Sequence, residues 1–464
     1  MSVLKEIEQN KTIFNLKYDG ESIWPVLRLK TVWKLQEKQK GTVNITRKFN
    51  LASILVIIKN FFYGFGELFK LGNYDFFVFS GSERRKRFEG LYHERVVEGL
   101  LTHHNALLIE NPYPLGKHYP KGMIPTKHII SESILFVGVM LLGYLYYDKN
   151  KLEGVDVLKD IFKRYDYSIN YKRFLIIYQG QYRLVKLLLK HFNKPKAVFF
   201  VYAGSSMGYI KAFKEHGVPV VEIQHGVINR EHNAYNVHAD FGRKFFPDYL
   251  LTYGKRELEV FENPENYFIA KENVLPVGYY ILDRYLNNET EGLMDRITAW
   301  KNQYKKIVVY THQEVYEKEI LDFLIQSAAL SQEVLYLLIP RNDLKETPSS
   351  LPENLIVQKE LNIYDCLRFS DIHATIYSTC AIESLSFGVP NIMYNYKNWS
   401  KSYYIDILGD ENHTLFVTDP KGFVQAILNH TFESKEYIAS ASDNFFKRGN
   451  QKNINDFIET QIER

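Results

Sequence analysis

Short apolar runs alternate with amphipathic helical stretches along most of the chain, and this alternation is the signature of βαβ units assembled into parallel sheets. The runs are Phe76 to Phe79, Ala106 to Ile109, Ala197 to Tyr202, Val218 to Ile223, Tyr249 to Thr252, Ile307 to Tyr310, Leu335 to Ile339, Ile372 to Thr375 and Asn391 to Met393. They fall into two sets, one before about residue 230 and one from about 248 to 395. At about 100 to 200 residues per domain, 464 residues exceed one ordinary core, so two α/β domains are expected. The polar segment Asn229 to Lys244 carries His232, Asn233 and Asn236 and shows no apolar period, which places the interdomain crossing there. The expected organisation is therefore 1–244, 245–436 and a helical end, 437–464, packing back on the first domain as terminal helices of two-lobed folds often do.

Composition excludes several classes of function. Lys and Arg number 58 against 54 Asp and Glu, a net +4 with the signs interspersed, which argues against a dedicated nucleic-acid binder. One local basic cluster stands out, Arg84, Arg85, Lys86 and Arg87. Two cysteines, Cys366 and Cys380, and an opening MSVLKEIEQNK without the apolar stretch of a signal peptide point to a reducing cytoplasm. Leu51 to Phe69 is interrupted by Lys59 and Glu67, and Ile134 to Tyr147 falls short of the roughly 17 to 25 residues that cross a bilayer. Both are read as buried or connecting helices, with contact at the inner-membrane surface as the alternative. The 34 Tyr and 31 Phe fit AT-rich coding, the alternative being a surface that stacks on sugars or lipid head groups.

Chemistry concentrates at the ends of the apolar runs. Ser370 to Pro390 reads as a strand, a Ser-Thr turn, a helix and Gly-Val-Pro before the next strand. Ser378 and Thr379 would sit at the helix N-terminus, where free N–H groups favour a phosphate, and Glu383 one turn on could accept hydrogen bonds from a ribose diol. Simple capping is the other reading of the same residues. Val220 to Gly226 ends in Gln224-His225-Gly226 at the carboxyl edge of the first sheet, where ligands of open α/β sheets bind and where an imidazole suits proton transfer. One βα unit upstream, Gly204, Ser205 and Ser206 form a small-residue turn on the same edge. Glu83, after the run Phe76 to Phe79, is a candidate base or part of a solvated charged turn. His312 and Arg341 follow two runs of the second set and are candidates for phosphate contact.

The Ser370 to Pro390 segment resembles the donor-site segment of GT-B glycosyltransferases, in which this helix holds the nucleotide phosphate and the Glu the ribose. Gln224-His225-Gly226 is similar to a segment of bacterial capsule and teichoic-acid polymerising transferases, and Tyr18 to Arg28 looks like an opening segment of surface-polysaccharide transferases. Ile339 departs from the pattern, since relatives carry His at that place before Pro-Arg. Asp-x-Asp between strands, zinc-spaced Cys/His, the P-loop and Gly-x-Gly-x-x-Gly are all missing, so neither a metal nor a cofactor is expected.

The resemblance implies an α/β protein of GT-B type, two Rossmann-like domains whose parallel sheets face a cleft. It implies a cytoplasmic, metal-independent glycosyltransferase of the capsule or lipopolysaccharide type. The donor would be a nucleotide sugar, by similarity to sialyl- and Kdo-transferases a CMP-linked acidic sugar. The acceptor would be a cell-surface glycan or lipid-linked glycan entering beside Gly204, Ser205, Ser206, Gln224 and Gly226. A UDP-sugar 2-epimerase-like enzyme and a non-catalytic glycan-assembly subunit are the alternatives.

Overall fold

The computed structural model describes residues 3–40, 51–113, 115–230, 232–287, 294–340, 343–345, 350–409 and 411–463. They form two compact units, Met1–Tyr280 with Gly449–Arg464, and Ile281–Arg448.

The first unit is built on seven parallel strands: β1 (Phe76–Gly81), β2 (Ala106–Asn111), β3 (Ile129–Ser131), β4 (Ala197–Phe200), β5 (Val220–Ile223), β6 (Tyr249–Thr252) and β7 (Val274–Pro276). Their spatial order is β7-β6-β5-β4-β1-β2-β3. Every residue of β1, β4 and β5 is buried, because helices cover both faces of a parallel sheet and leave no polar alternation to read. On one face Phe79 of β1 stacks on Phe200 of β4, ring centroids 4.6 Å apart.

The second unit has six parallel strands: β8 (Lys306–Thr311), β9 (Val334–Ile339), β10 (Leu355–Val357), β11 (Ile372–Thr375), β12 (Asn391–Tyr394) and β13 (Thr414–Val417), in the order β10-β9-β8-β11-β12-β13. Its core joins Tyr310 and Tyr336 of the central strands to Phe323 and Phe423 from the covering helices.

The expected boundary moves. Tyr249–Thr252 pairs with β5, Val221 opposite Tyr249, and with β7 on its other side, so it belongs to the first sheet instead of opening the second, and the units divide at Tyr280. Asn229 to Lys244 is therefore no crossing between domains. It is polar because its backbone is held from within: the fully buried Arg28 donates to the carbonyls of Asn233 (2.9 Å) and Asn236 (2.7 Å). The Arg28 Nε in turn donates to Glu8 Oε1 at 2.8 Å, and Trp24 and the His238 N–H also donate to that carboxylate. The chain end divides too. Helix Lys435–Ala441 belongs to the second unit, whereas helix Asn450–Phe457 lies on the first, with Asn453 donating to the Val277 carbonyl at 3.1 Å and Phe457 edge-on to Tyr249.

Among the described residues no helix is long and apolar enough to cross a membrane. The two apolar stretches become helix Leu51–Asn60, the 3-10 helix Phe65–Asn73 and helix Glu132–Tyr146. Helix Glu132–Tyr146 lies so close on helix Tyr171–His191 that a Cβ at Gly143 or Gly180 would collide with the facing backbone. Its other face is uncovered, with Leu141 and Leu145 exposed, so the reading of these stretches as buried holds for one side only.

Removing one partner of a buried ion pair strands the other, at a typical cost of about 3 to 5 kcal/mol. Arg28→Met is expected to lower stability by about that amount in urea unfolding, and Glu8→Gln added to it to restore part of the loss. A shift under about 1 kcal/mol for the single variant would show that the pair does not hold the segment.

Candidate functional site

Both sheets reverse their winding once, and at such a reversal the loops leaving adjacent strands diverge and open a crevice at the carboxyl ends. In the first unit the reversal lies between β1 and β4, in the second between β8 and β11.

At the first reversal β1 runs into Ser80-Gly81-Ser82-Glu83. A Cβ at Gly81 would collide with the Glu83 carboxylate, so the glycine lets Glu83 fold back over the strand end. Glu83 Oε1 lies 3.7 Å from Arg84 Nε, while Oε2 is buried without a hydrogen-bond partner. Burial, opposed by Arg84, holds this carboxyl above the usual range, so Glu83 is not a freely solvated charge. Glu132, at the start of its helix, is a second carboxyl here. Burial pushes it up to about 7, a hydrogen bond from Asn111 opposes the rise, and the Glu83 charge adds to it. Sequence reasoning missed Glu132, whose only signal was its place one residue after a short strand.

The basic cluster is taken apart by the hairpin Arg85–Phe88 with Leu91–Glu94. Lys86 and Arg87 point to solvent, whereas Arg85 is buried and donates to Glu110 Oε1 (2.6 Å), to Glu98 Oε2 (3.3 Å) and to Thr126. Glu94 caps the same network, accepting from Ser80 Oγ and from the N–H groups of Val96 and Val97.

Across the reversal, Tyr202 follows β4 with φ +94, a conformation that costs a bulky residue energy and that clusters at functional sites. Its ring meets His225 edge to face, centroids 5.2 Å apart. His225 Nδ1 is buried with no hydrogen-bond partner, and burial together with the charges of Arg84, His232 and Arg95 holds the imidazole pKa well below its usual value. The ring is therefore neutral at neutral pH, in surroundings that favour an anion. Gln224 departs from its expected place in the crevice. It is fully buried, with Nε2 donating to Gly226 O (2.9 Å) and Glu257 Oε1 (2.8 Å) and Oε1 accepting from Tyr253 N (2.6 Å), so it ties strand ends together. Gly226 lies at a bend after β5 without a positive φ, so the change of direction there does not depend on a left-handed conformation. Gly204 is pressed by Leu29 and the Tyr202 hydroxyl, Ser205 Oγ accepts from Lys30 Nζ at 3.2 Å, and Ser206 precedes helix Met207–Glu215 without capping it. Burial, with Arg173, pushes Lys30 down to about 8. The cavity beneath this turn, lined by Arg28, Tyr202, Gly204, Glu222 and Phe268, has room for about one water molecule.

At the second reversal the strand ends are cross-linked by side chains. Gln313 Nε2 donates to Thr375 Oγ1 (2.7 Å) and its Oε1 accepts from Ile376 N (3.2 Å), joining the loops after β8 and β11. Beneath them His373 bridges Thr311 Oγ1 (2.9 Å) and Asn391 Oδ1 (2.7 Å), and Asn391 Nδ2 donates to Ala381 O (2.7 Å). Burial pushes His373 down to about 4, so this relay is neutral. His312 is buried, its Nε2 3.5 Å from Glu317 Oε2, and burial lowers its pKa. Arg341 lies outside the described residues.

The helix after Ser378-Thr379 is shorter than the sequence suggests: Cys380–Glu383 runs into the 3-10 turn Ser384–Phe387, which ends at Gly388 with φ +69. Ser378 Oγ accepts from Cys380 N at 3.3 Å, so it does cap this turn. Ser378 and Thr379 are partly exposed, while Glu383 is only 5% exposed and lies near Tyr404, whose pKa is raised by its burial first and then by the charges of Cys380 and Glu383. The loops also carry an aromatic group that the sequence reading did not single out. Tyr316 follows β8, Tyr377 follows β11, and Tyr396, Trp399 and Tyr403 follow β12. Tyr377 stacks on Tyr403 at 5.3 Å and meets Tyr316 edge-on at 6.1 Å, and Tyr396 meets Tyr316 at 5.3 Å. Ser400 fixes the group by donating to the carbonyls of Ile376 and Tyr394. Consecutive left-handed residues, Lys397 and Asn398, shape its edge.

No protein-family model matches the chain, and no curated protein matches it in sequence. Solved structures do match in shape. The glycotransferase of kitacinnamycin aligns with a TM-score of 0.52 and 11% identity over 84% of this chain and 99% of that one. The calicheamicin glycosyltransferase CalG4 gives 0.49 and 11% over 84% and 99%, and the UDP-GlcNAc 2-epimerase from Neisseria meningitidis bound to UDP-GlcNAc gives 0.46 and 11% over 84% and 100%. At such identities a likeness is one of fold. The fold is α/β of GT-B type, two Rossmann-like units each with its own parallel sheet.

Glu222 provides a pH test of the first site. It accepts from Tyr235 Oη at 2.9 Å, and burial pushes its carboxyl up to about 7 from 4.5. With the folded pKa raised, its stabilisation is complete below pH 4.5 and is lost as pH rises through 7, about 3 kcal/mol in all. Relative to Glu222→Gln, the wild-type chain is expected to lose about that much between pH 4.5 and pH 8 in urea titrations, the other carboxyls cancelling in the difference. Parallel curves would place the carboxyl in contact with water.

Proposed function

We propose that the chain is a glycosyltransferase that takes a nucleotide-activated sugar on the strand ends of its second unit and an acceptor hydroxyl on those of its first. The observation that carries this reading is that each parallel sheet reverses its winding once, and each reversal is lined by groups suited to one half of the reaction.

On the second unit the Ser378 and Thr379 hydroxyls and the neighbouring N–H groups receive the phosphate of the leaving nucleotide. Hydroxyls and amides stabilise the leaving charge without adding a cation. The Tyr316, Tyr377 and Tyr396 group offers ring faces and edges to a base or sugar. Glu383, being buried, acts by positioning the turn, and a ribose contact needs a small outward movement of its carboxyl.

On the first unit Glu83, with Glu132 beside it, is the proton acceptor for the attacking hydroxyl. A carboxyl raised toward neutrality takes up a proton more readily than an ordinary one. His225, neutral and flanked by Arg84 and Arg95, receives an anionic group of the substrate, whose arrival would raise its pKa. The Ser-Thr turn's likeness to sialyl- and Kdo-transferase motifs favours a CMP-linked acidic sugar as donor and a cell-surface glycan as acceptor.

A ligand that binds only the folded chain raises its melting temperature, by about 2.7 kcal/mol of stabilisation at a hundred times its Kd. In a screen of CMP, CDP, UDP and GDP, one nucleotide is expected to stabilise the protein. Ser378→Ala with Thr379→Val is expected to weaken that binding roughly tenfold, and His225→Ala to leave it intact while lowering transfer. No stabilisation by any nucleotide at millimolar concentration would sink the donor site. Conversion of a nucleotide sugar in the absence of acceptor would replace transfer by epimerisation.

A further inference from the structure

Large apolar side chains exposed on this chain are not scattered. Among the described residues, thirteen of the twenty-one fall between Leu51 and Tyr146, on the first unit, and contiguous exposed apolar surface on that scale marks an interaction site. Leu55, Ile58, Phe62, Phe69, Leu141 and Leu145 are each 58 to 76% exposed.

The elements that carry them adjoin one another. Phe62, Phe65 and Phe69 form a row with successive ring centroids 5.9 and 5.8 Å apart. Ser131, which caps helix Glu132–Tyr146, donates its N–H to the Tyr63 carbonyl at 3.0 Å. The loop after β2 is fastened to the same turn, Asn60 Nδ2 donating to Gly116 O (3.2 Å) and Tyr63 Oη to Tyr119 O (2.8 Å). Packing explains why the face stays open. Helix Glu132–Tyr146 presents Gly143 and Val139 to helix Tyr171–His191, which turns Leu141 and Leu145 outward.

Charge identifies what covers it. From Leu51 to Gly72 and from Tyr113 to His128 the chain carries one acidic residue, Glu67, which is 12% exposed and paired with Lys70. The same segments expose Lys59, Lys70, Lys117, Lys121 and Lys127. An apolar face that also projects cations, with no exposed acid to answer them, complements a surface that is apolar inside and anionic outside. A protein partner or a second copy would require acidic side chains to meet these lysines, and a copy brings the same positive face.

We propose that this face of the first unit docks on an anionic lipid bilayer, with Phe62, Phe69 and Leu145 entering the acyl boundary and the lysines resting on the head groups. The inference is independent of the transferase reading. Among the described residues no helix is long and apolar enough to cross a membrane, and the docking proposed is peripheral and reversible by salt.

Co-sedimentation of the full chain with phosphatidylcholine vesicles, with and without phosphatidylglycerol, tests it. The chain is expected to pellet with the phosphatidylglycerol vesicles, to be released by high salt, and to stay in solution with phosphatidylcholine alone. Phe62→Glu with Leu145→Glu is expected to weaken pelleting at least ~10-fold with an unchanged melting temperature, since both side chains are exposed. Lys59→Glu with Lys121→Glu, which touches no apolar residue, is expected to do the same and keeps the test decisive if the first variant misfolds. A wild-type chain that remains in the supernatant with both vesicle types overturns the proposal. So does light scattering that shows a dimer abolished by the same substitutions.

Discussion

Parallel strands cannot be joined by hairpins, so each must return through a crossover that packs on one face of the sheet, and a sheet covered on both faces has to change its direction of winding. That reversal is the constraint from which the rest of this structure follows. It brings the loops after β1 and β4 together in the first unit, and those after β8 and β11 in the second. Glu83, Tyr202 and His225 gather at one place for this reason, and Gln313, Tyr316, Tyr377 and Ser378 at the other.

Keeping those loop ends in place falls to buried polar groups. Arg28 holds the segment after His225 by its carbonyls and Glu8 by the His238 N–H, so residues near the start of the chain position a loop some two hundred residues away in sequence. Arg85 between Glu98 and Glu110 does the same beneath Glu83. The second unit uses a neutral relay, Thr311, His373 and Asn391, in which the imidazole is too deeply buried to protonate near neutral pH. Each arrangement trades the cost of burying polar groups for fixed geometry at a strand end, and each is satisfied by partners on neighbouring elements.

Much of the fold was legible because strands buried on both faces read as unbroken apolar runs. Phe76 to Phe79 and Ile307 to Tyr310 are examples, and each begins or ends within two residues of its strand. Three-residue strands such as Ile129–Ser131 and Leu355–Val357 carry too little pattern to separate from loop. The boundary differs from the sequence expectation because a polar segment without apolar period can lie inside a unit as well as between two. Asn229 to Lys244 is polar yet held inside one unit by Arg28, a partner that no local pattern reveals. The placement of Ser378 and Thr379 at the turn before a short helix, and of His225 just past its strand, was legible in the sequence. Glu132 and the tyrosine group were not, since they converge from separate crossovers. Gln224 misled for the opposite reason: its place at the strand end is right, but its amide is consumed by Glu257 and Tyr253.

The central claim is that the second reversal is a nucleotide-sugar site, and the most direct measurement is amide hydrogen exchange with and without a saturating nucleotide that binds. Binding there is expected to slow exchange in the segments 312–317, 376–382 and 395–400, which leave adjacent strand ends, while the cores of β9 and β12 stay as they were. Protection confined to other segments, with those three unchanged, would contradict the account.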